Sequence, residues 1–237
     1  LSYQNHDFKT KLQIARFTWF MIYIDDLGND TPTALQDFQI GLLQGQVHEN
    51  PVLHQFSNHL RDMYLYWEPL IANCIVCAAL EFVNGCVLES RSEIQGMAVS
   101  SLAERWPYFL RAKTGVAAAY TLMIFPKSNN PDISKFIQAV ADINVFIDLT
   151  NDVLSFYKEI LAGEVANYIH NKSTTTGETV DATLECTAQE AISTYDRISS
   201  YLQGSARDAW KTFANGYIAF HVTQDRYRLR ELDLGVE

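Results

Sequence analysis

Residues 151–159 read Asn-Asp-Val-Leu-Ser-Phe-Tyr-Lys-Glu, within a stretch of helical periodicity that covers about residues 131–163. Asn151, Ser155 and Glu159 are spaced four residues apart, so on an α-helix their side chains lie on one face, each about 6 Å further along the axis. Two neutral oxygens and one carboxylate suit a magnesium ion that keeps water ligands and also binds a substrate phosphate. A polar stripe on a solvated helix is the alternative interpretation. The stretch therefore predicts a helix with a candidate magnesium site.

The same helical periodicity continues along most of the chain, and no run of alternating apolar and polar residues is convincing. The 237 residues, 48% of them hydrophobic, suffice to bury the core of one domain. Helices are predicted at about residues 7–26, 34–45, 51–64, 67–90, 99–122, 131–163, 185–202 and 206–231. The sequence therefore predicts an all-α, single-domain fold.

The charge balance narrows the possible ligands. Eighteen Lys and Arg against 28 Asp and Glu give a net charge of −10. Such a chain is a poor nucleic-acid binder, because that affinity depends on Lys and Arg neutralising phosphates. A phosphorylated substrate would need divalent metals for much of the positive charge. No run of eighteen uncharged apolar residues occurs, so no membrane span is expected.

The four cysteines show no disulfide-dense spacing. Cys74 and Cys77 form a Cys-x-x-Cys pair, but neither a second Cys or His pair nor a βαβ pattern accompanies it. Buried thiols are therefore favoured over a redox or zinc site. A cytoplasmic location is expected.

A second acidic group, Asp25-Asp26, follows the mostly apolar run of residues 17–24. Two adjacent carboxylates near a core are costly unless a positive charge neutralises them, and a metal ion would do so. The alternative is a helix that ends at Gly28 with the acids in the following loop. Acidic residues at a helix C-terminus oppose the macrodipole, which makes this alternative less favourable.

Together the two groups resemble class I terpene synthases, and most closely the fungal trichodiene synthase family. Asp25-Asp26 stands in the place of the aspartate-rich motif, and Asn151, Ser155 and Glu159 stand in the place of the second metal motif. The resemblance covers about residues 17–232 and has two further segments. These are Phe109-Leu110-Arg111-Ala112-Lys113-Thr114-Gly115 and Asp225-Arg226-Tyr227-Arg228-Leu229.

The resemblance implies a class I terpene synthase helical bundle around a central apolar cavity. The family is usually longer, so N-terminal helices and a C-terminal tail are expected to be missing here. By resemblance Asp25 would bind two of three magnesium ions, and Asn151, Ser155 and Glu159 the third. Asp26 and Asp30 are expected beside these ligands, in ion pairs or as further metal contacts.

The resemblance also assigns residues to the diphosphate. Arg226 and Tyr227 would donate hydrogen bonds to it, together with Lys158 and Arg111, since a guanidinium pairs with phosphate oxygens in a bidentate manner. For each basic residue alone, a surface ion pair is an equally good interpretation. The family's usual polar or acidic residue between the sensing arginine and the glycine is replaced by Thr114, whose hydroxyl can still form hydrogen bonds.

A carbocation needs apolar walls without nucleophiles, and aromatic faces stabilise it by about 0.5–2 kcal/mol each. Such walls can come from residues near the two metal motifs and from the last helix. The candidates are Phe17, Met21, Ile22, Ile147, Tyr217 and Phe220. Ordinary core packing is the alternative for each of them.

Two further features concern the backbone. Gly115 within an apolar helical pattern indicates a kink or a close helix approach, and in the family the break directs a carbonyl into the pocket. The polar stretch 172–179 is expected to be either a mobile loop over the site or a disordered connection.

These features predict a magnesium-dependent sesquiterpene cyclase that acts on farnesyl diphosphate and that could form a homodimer. A non-catalytic cyclase-like protein that binds an isoprenoid or a partner is the first alternative, suggested by the short chain and by Thr114. A chain-elongating prenyltransferase would need a second aspartate-rich motif, which the Asn151 motif replaces here.

Overall fold

The described part of the chain is helical, as predicted. The computed structural model describes residues 1–232, apart from the side chains of Asn29 and Asp30, and this part contains no β-strand. Its α-helices are α1 (Phe8–Asp30), α2 (Pro32–Gln36), α3 (Phe38–Gln44), α4 (Pro51–Tyr66), α5 (Pro69–Ser90), α6 (Ser92–Gln95), α7 (Trp106–Thr114), α8 (Ala117–Met123), α9 (Val140–Ala162), α10 (Tyr168–Thr176), α11 (Val180–Tyr201) and α12 (Gly204–Thr223). Short 3-10 turns lie at Ile133–Lys135, Ile137–Ala139, Asp225–Tyr227 and Leu229–Glu231.

The chain divides into two compact units. The Asp25 unit comprises His6–Ala98 and Lys113–Asp132. The Asn151 unit comprises Leu1–Asn5, Val99–Ala112 and Ile133–Glu237. One of the boundaries, after Ala112, falls within α7. The aspartate pair and the candidate metal triplet belong to different units.

Local sequence sets the helix ends. The Asn50 side chain accepts the backbone N–H groups of Val52 and Leu53 at 2.9 and 3.2 Å, and Pro51 occupies the first position of α4. This is the N-cap arrangement that satisfies otherwise unpaired donors. At the other end of a helix, Gly163 terminates α9 in the left-handed conformation with φ of 76°.

Helix α1 continues past its predicted end near residue 26 and reaches Asp30. The alternative that placed the acids in a loop after Gly28 is therefore wrong, because Asp25 and Asp26 lie inside the helix. Gly28 faces α5, where a Cβ atom on the glycine would lie 3.0 Å from Cys86 Cβ. The glycine thus permits close helix packing and does not end the helix.

The predicted single helix over 99–122 is wrong, and the break lies where Gly115 predicted an interruption. Helix α7 ends at Thr114 and α8 begins at Ala117. Val116 between them has φ of 49°, a left-handed conformation that a β-branched residue rarely adopts. Its side chain is only 7% exposed, so burial of the valine holds this strained backbone in place.

The prediction of a loop or disordered connection at 172–179 is wrong for residues 172–176. Residues 168–176 form α10, which Gly177 terminates with φ of 74°. The hydroxyls of Thr174 and Thr176 donate to the carbonyls of His170 and Lys172, which satisfies these polar side chains within the helix. Packing of the buried first turn of α10 against α9 and α11 therefore overrides weak helix propensity.

Helix α5 forms the core of the Asp25 unit. By length and composition alone, Pro69–Ser90 could cross a membrane, and half of its apolar 18-residue window is buried inside the chain. It packs against α1, α2, α4, α6 and α8. At Gly85 a Cβ atom would lie 2.4 Å from the Lys113 carbonyl oxygen, so the glycine lets α5 approach the end of α7. These contacts identify α5 as a core helix of this unit.

Helix α9 has the same role in the Asn151 unit. It packs along α11 and also contacts α10, α12 and the turn Asp225–Tyr227. Phe146 of α9 meets Trp210 of α12 edge to face, with ring centroids 4.9 Å apart. The polar residues of α9 are therefore held on a rigid element.

His59 provides a test of this packing. The ring is 1% exposed, neither nitrogen has a hydrogen-bond partner among the described residues, and burial followed by the charge of Arg16 lowers its pKa to about 4. An unfolded histidine titrates near 6.5, so the unfolded chain takes up the proton first and stability falls as pH drops from 6.5 towards 4. We expect His59→Phe to reduce this loss. Urea unfolding of both proteins between pH 6.5 and pH 4 measures the loss. Equal losses of stability in the native protein and the variant would show that His59 is not its source.

Candidate active site

The predicted oxygen donors share one face of α9. The Ser155 hydroxyl donates to Glu159 Oε1 at 2.5 Å, which brings two of the three donors into direct contact. Ser155 is 1% exposed, and Asn151 lies one turn earlier and is partly buried. The polar side chains therefore sit against protein, and the alternative of a freely solvated stripe does not describe them.

Glu159 is held through both carboxylate oxygens. Its Oε2 accepts a hydrogen bond from the Asn167 side-chain amide at 3.0 Å, while Ser155 occupies Oε1. The Lys158 ammonium lies 3.6 Å from Oε1, so this lysine is beside the carboxylate. A carboxylate, a hydroxyl and a cation thus meet at the C-terminal end of α9.

Asn151 is fixed at both ends of its amide group. Arg111 Nη2 donates to its Oδ1 at 3.1 Å, and its Nδ2 lies 3.0 Å from His221 Nε2. The amide therefore connects α7, α9 and α12. Its oxygen points towards the guanidinium.

Arg111 is the centre of a buried ionic network. Its Nε lies 2.6 Å from Asp152 Oδ1, and its Nη1 lies 3.3 Å from Asp148 Oδ1. The arginine side chain is only 12% exposed, which rules out a surface ion pair for this residue. Burial raises the pKa of Asp148 to about 7 and that of Asp152 to about 6, although the guanidinium opposes both shifts. The cation thus keeps two crowded carboxylates inside the unit.

Asp152 is a site residue that the sequence pattern did not single out. Asp148 and Asp152 are four residues apart on one face of an apolar helix, where two like charges repel. Such a pair predicts a buried cation beside it, and this signal was available in the sequence. Only the fold identifies Arg111, more than thirty residues earlier, as that cation.

Arg226 and Tyr227 follow α12 and do not lie within it. They occupy the 3-10 turn Asp225–Tyr227, because α12 ends at Thr223. The predicted helix to residue 231 is therefore wrong there. Arg226 is exposed, whereas Tyr227 is 8% exposed with its ring centroid 4.4 Å from that of His221. Burial raises the pKa of the Tyr227 hydroxyl, so this group remains a hydrogen-bond donor.

The predicted pocket residues of the Asn151 unit differ in exposure. Ile147 is 2% exposed, and Phe220 is 40% exposed. The Tyr217 hydroxyl donates to the Ile147 carbonyl at 3.2 Å, which fixes α12 against α9. Their role as walls of a substrate cavity stays a prediction.

The predicted pocket residues of the Asp25 unit also differ. Phe17 and Met21 are buried at 0% and 4% exposure, and Phe17 meets the Tyr120 ring edge to face. Ile22 is 47% exposed and does not share their buried face of α1. Gly115 is half-buried at the break between α7 and α8. Phe17 and Met21 thus lie on the buried face of α1, and their role as walls of a substrate cavity stays a prediction.

The aspartate pair lies in the last turns of α1. Asp25 and Asp26 are both exposed, and the charge of Asp25 contributes, after burial, to raising the pKa of the Cys86 thiol on α5. Asp25 therefore faces the α5 side of the helix. The side chain of Asp30 lies outside the described residues.

The α9 donors fit a magnesium ion by chemistry. Among the described residues no group of three His, Cys, Asp or Glu side chains forms a metal site. The set on α9 uses an amide and a hydroxyl with one carboxylate, and these hard oxygens are the ligands that Mg2+ takes alongside water. The hydrogen bond between Ser155 and Glu159 places two of these oxygens next to each other.

Comparison with known proteins shows the family of this chain. Residues 3–234 match the family model described as trichodiene synthase (TRI5). The chain is 38% identical over 231 residues to terpene synthase BipA of Cochliobolus sativus, covering 96% of this chain and 71% of that protein. It is 36% identical over 237 residues to longiborneol synthase CLM1 of Gibberella zeae, covering 97% and 69%. The linalool/nerolidol synthase structure from Streptomyces clavuligerus, 14% identical, superposes with a TM-score of 0.72 over 93% of this chain and 84% of that one. This last likeness confirms the class I terpene synthase fold.

The Arg111 network yields a stability prediction. Arg111→Leu leaves two buried carboxylates without their cation, and we expect it to cost about 3–5 kcal/mol of unfolding free energy. Arg230→Leu is the matched control, because its ion pair with Asp225 at 3.3 Å is 70% and 89% exposed and should contribute little. Urea unfolding measures both. Equal losses in the two variants would contradict the buried network.

Proposed function

Because this chain belongs to the trichodiene synthase family of terpene synthases, lyases that act on phosphates, we propose that it is a magnesium-dependent sesquiterpene cyclase. Its proposed substrate is farnesyl diphosphate. Membership of the family supports a prenyl diphosphate substrate of unspecified chain length. The fifteen-carbon length is our proposal. The proposed product is a cyclic hydrocarbon or alcohol, with release of diphosphate.

The observation that carries the proposal is the oxygen face of α9. Ser155 donates to Glu159 and Lys158 lies beside the same carboxylate, so two proposed metal ligands and the proposed phosphate-binding cation are adjacent. Asn151, Ser155 and Glu159 would hold one magnesium ion. Asp25 is proposed as a ligand of the other ions, with Asp26 and Asp30 as neighbouring acids.

The first chemical step breaks the bond between the allylic carbon and the diphosphate oxygen, and the electron pair leaves with the diphosphate. Magnesium, when bound, supplies positive charge to that leaving group. The protein's own hydrogen-bond donors also stabilise the negative charge on the diphosphate. Such preorganised hydrogen bonds lower the activation barrier substantially. Arg226, Tyr227 and Lys158 are the proposed donors.

Arg111 is proposed as a further hydrogen-bond donor to the diphosphate. Its existing bonds set the free-energy cost of that contact. The guanidinium is already paired with Asp148 and Asp152 and bonded to Asn151. A hydrogen bond from Arg111 to diphosphate would compete with these bonds. Diphosphate binding would therefore also change the contact between Arg111 and the proposed metal ligand Asn151. The acids beside it keep it charged and oriented.

After ionisation the cation rearranges and loses a proton or takes up water. Apolar side chains exclude water during this time, and aromatic faces stabilise the cation by about 0.5–2 kcal/mol each. Phe17, Met21, Ile147, Tyr217 and Phe220 are the proposed lining, with Gly115 at the helix break. Ile22 is the weakest member of the predicted set because it is 47% exposed.

The direct test is product formation. We expect the protein with farnesyl diphosphate and Mg2+ to release a cyclic terpene that gas chromatography with mass spectrometry detects. Geranyl diphosphate in a parallel reaction tests the chain length, and a clear preference for it would overturn the sesquiterpene assignment. Folded protein that returns only substrate or solvolysis products would support the non-catalytic alternative.

The metal role predicts the effect of single substitutions on turnover. Glu159→Gln removes the one carboxylate among the three proposed α9 ligands, and Asn151→Leu removes the amide oxygen. We expect each to lower kcat/KM at least tenfold, which is about 1.4 kcal/mol of transition-state stabilisation. Glu164→Gln, at an exposed position shortly after α9, is the matched control and should leave kcat/KM close to native. Unchanged kinetics in both α9 variants would exclude their metal role.

A further inference from the structure

A directed chain of hydrogen bonds passes through the proposed metal ligand Asn151. Arg111 Nη2 lies 3.1 Å from Asn151 Oδ1, Asn151 Nδ2 lies 3.0 Å from His221 Nε2, and His221 Nδ1 lies 2.8 Å from the Tyr217 carbonyl oxygen. All four residues belong to the Asn151 unit. His221 is 1% exposed, so water does not compete for its nitrogens.

The two ends of this chain fix the role of every atom between them. An arginine can only donate, so the Asn151 atom that faces Arg111 must be the oxygen. A backbone carbonyl can only accept, so His221 Nδ1 must carry its proton. The neutral imidazole then has its lone pair on Nε2, which accepts from the Asn151 amide nitrogen. One tautomer and one amide orientation satisfy all three contacts.

We propose that His221 is a positioning residue that holds the Asn151 amide so that its oxygen accepts from Arg111 through one lone pair and offers the other lone pair to a metal ion. This inference rests on the proposed function, since it concerns the orientation of a proposed magnesium ligand. An asparagine side chain can turn over and present either its oxygen or its NH2 group, and only the oxygen binds a cation. With an acceptor at Nε2, the reversed orientation would leave the amide oxygen facing a lone pair and its NH2 group facing Arg111.

The position of His221 also links this amide to the predicted diphosphate residues. Its ring contacts the rings of Tyr217 and Tyr227, with centroids 4.6 and 4.4 Å away. Tyr227 belongs to the turn that carries Arg226. The buried His221 ring therefore contacts Tyr227, next to Arg226, and bonds to Asn151 on α9. It fixes the position of the Arg226-Tyr227 turn relative to Asn151. No sequence spacing predicts this link, because His221 and Asn151 are 70 residues apart.

Two amide substitutions separate positioning from packing. A glutamine amide extends about as far as Nε2 and can still accept from Asn151, whereas an asparagine amide extends only about as far as Nδ1 and can reach the Tyr217 carbonyl alone. His221→Gln and His221→Asn thus introduce the same amide group at the same buried position. Only the glutamine side chain is long enough to reach Asn151. Thermal unfolding of both variants checks that they are folded.

The readout is binding of inorganic diphosphate in the presence of Mg2+, measured by calorimetry with the whole chain. Loss of a residue that orients a metal ligand commonly costs about 10–100-fold in metal affinity. We expect His221→Asn to weaken binding at least about tenfold and His221→Gln to stay within about threefold of native. The Mg2+ concentration for half-maximal turnover should rise more in His221→Asn than in His221→Gln.

The outcomes distinguish this inference from the proposed function. If native protein binds no diphosphate with Mg2+, or if Asn151→Leu binds like native, the proposed function is wrong and the inference fails with it. If Asn151→Leu loses binding while His221→Asn keeps native affinity, only the inference is overturned. Equal losses in His221→Asn and His221→Gln also overturn it, because packing alone would then explain the effect. Should His221→Asn fail to fold, a tenfold loss in folded His221→Gln overturns it as well.

Discussion

The Asn151 unit depends on one buried cation. Arg111 forms ion pairs with both Asp148 and Asp152 on α9, and its guanidinium also bonds to Asn151. Two carboxylates four residues apart would not remain buried on an apolar helix without such a partner, because their desolvation cost would exceed any packing gain. The same pairing brings α7 to α9 beside the oxygen donors. Structural stability and ligand orientation are therefore properties of one network.

The network also shows how a site can be kept rigid with few charges. Asn151 is held by one donor and one acceptor, while Ser155 and Asn167 hold the carboxylate of Glu159. Every proposed α9 ligand thus has a partner before any metal binds. Side chains fixed in this way lose little freedom on binding, which favours ligand affinity.

The sequence predicted much of this arrangement because the relevant signals are local. Four-residue spacing on a helix requires only helical geometry, so the common face of Ser155 and Glu159 followed directly from the residues. The failures have a different cause. Residues 168–176 form a helix despite weak propensity, because neighbouring helices bury their first turn. Arg226 and Tyr227 lie in a 3-10 turn, which hydrophobic periodicity does not distinguish from a continuing helix.

The sequence by itself determined the all-α class, the oxygen face of α9 and the resemblance to terpene synthases, because periodicity and motif spacing are properties of single segments. Tertiary structure alone decided which distant residues meet. It paired Arg111 with Asp152, placed His221 on the Asn151 amide, and kept α1 helical through Asp25. The physical reason is that burial and hydrogen-bond satisfaction depend on neighbours from other helices, and those neighbours are known only once the helices have packed.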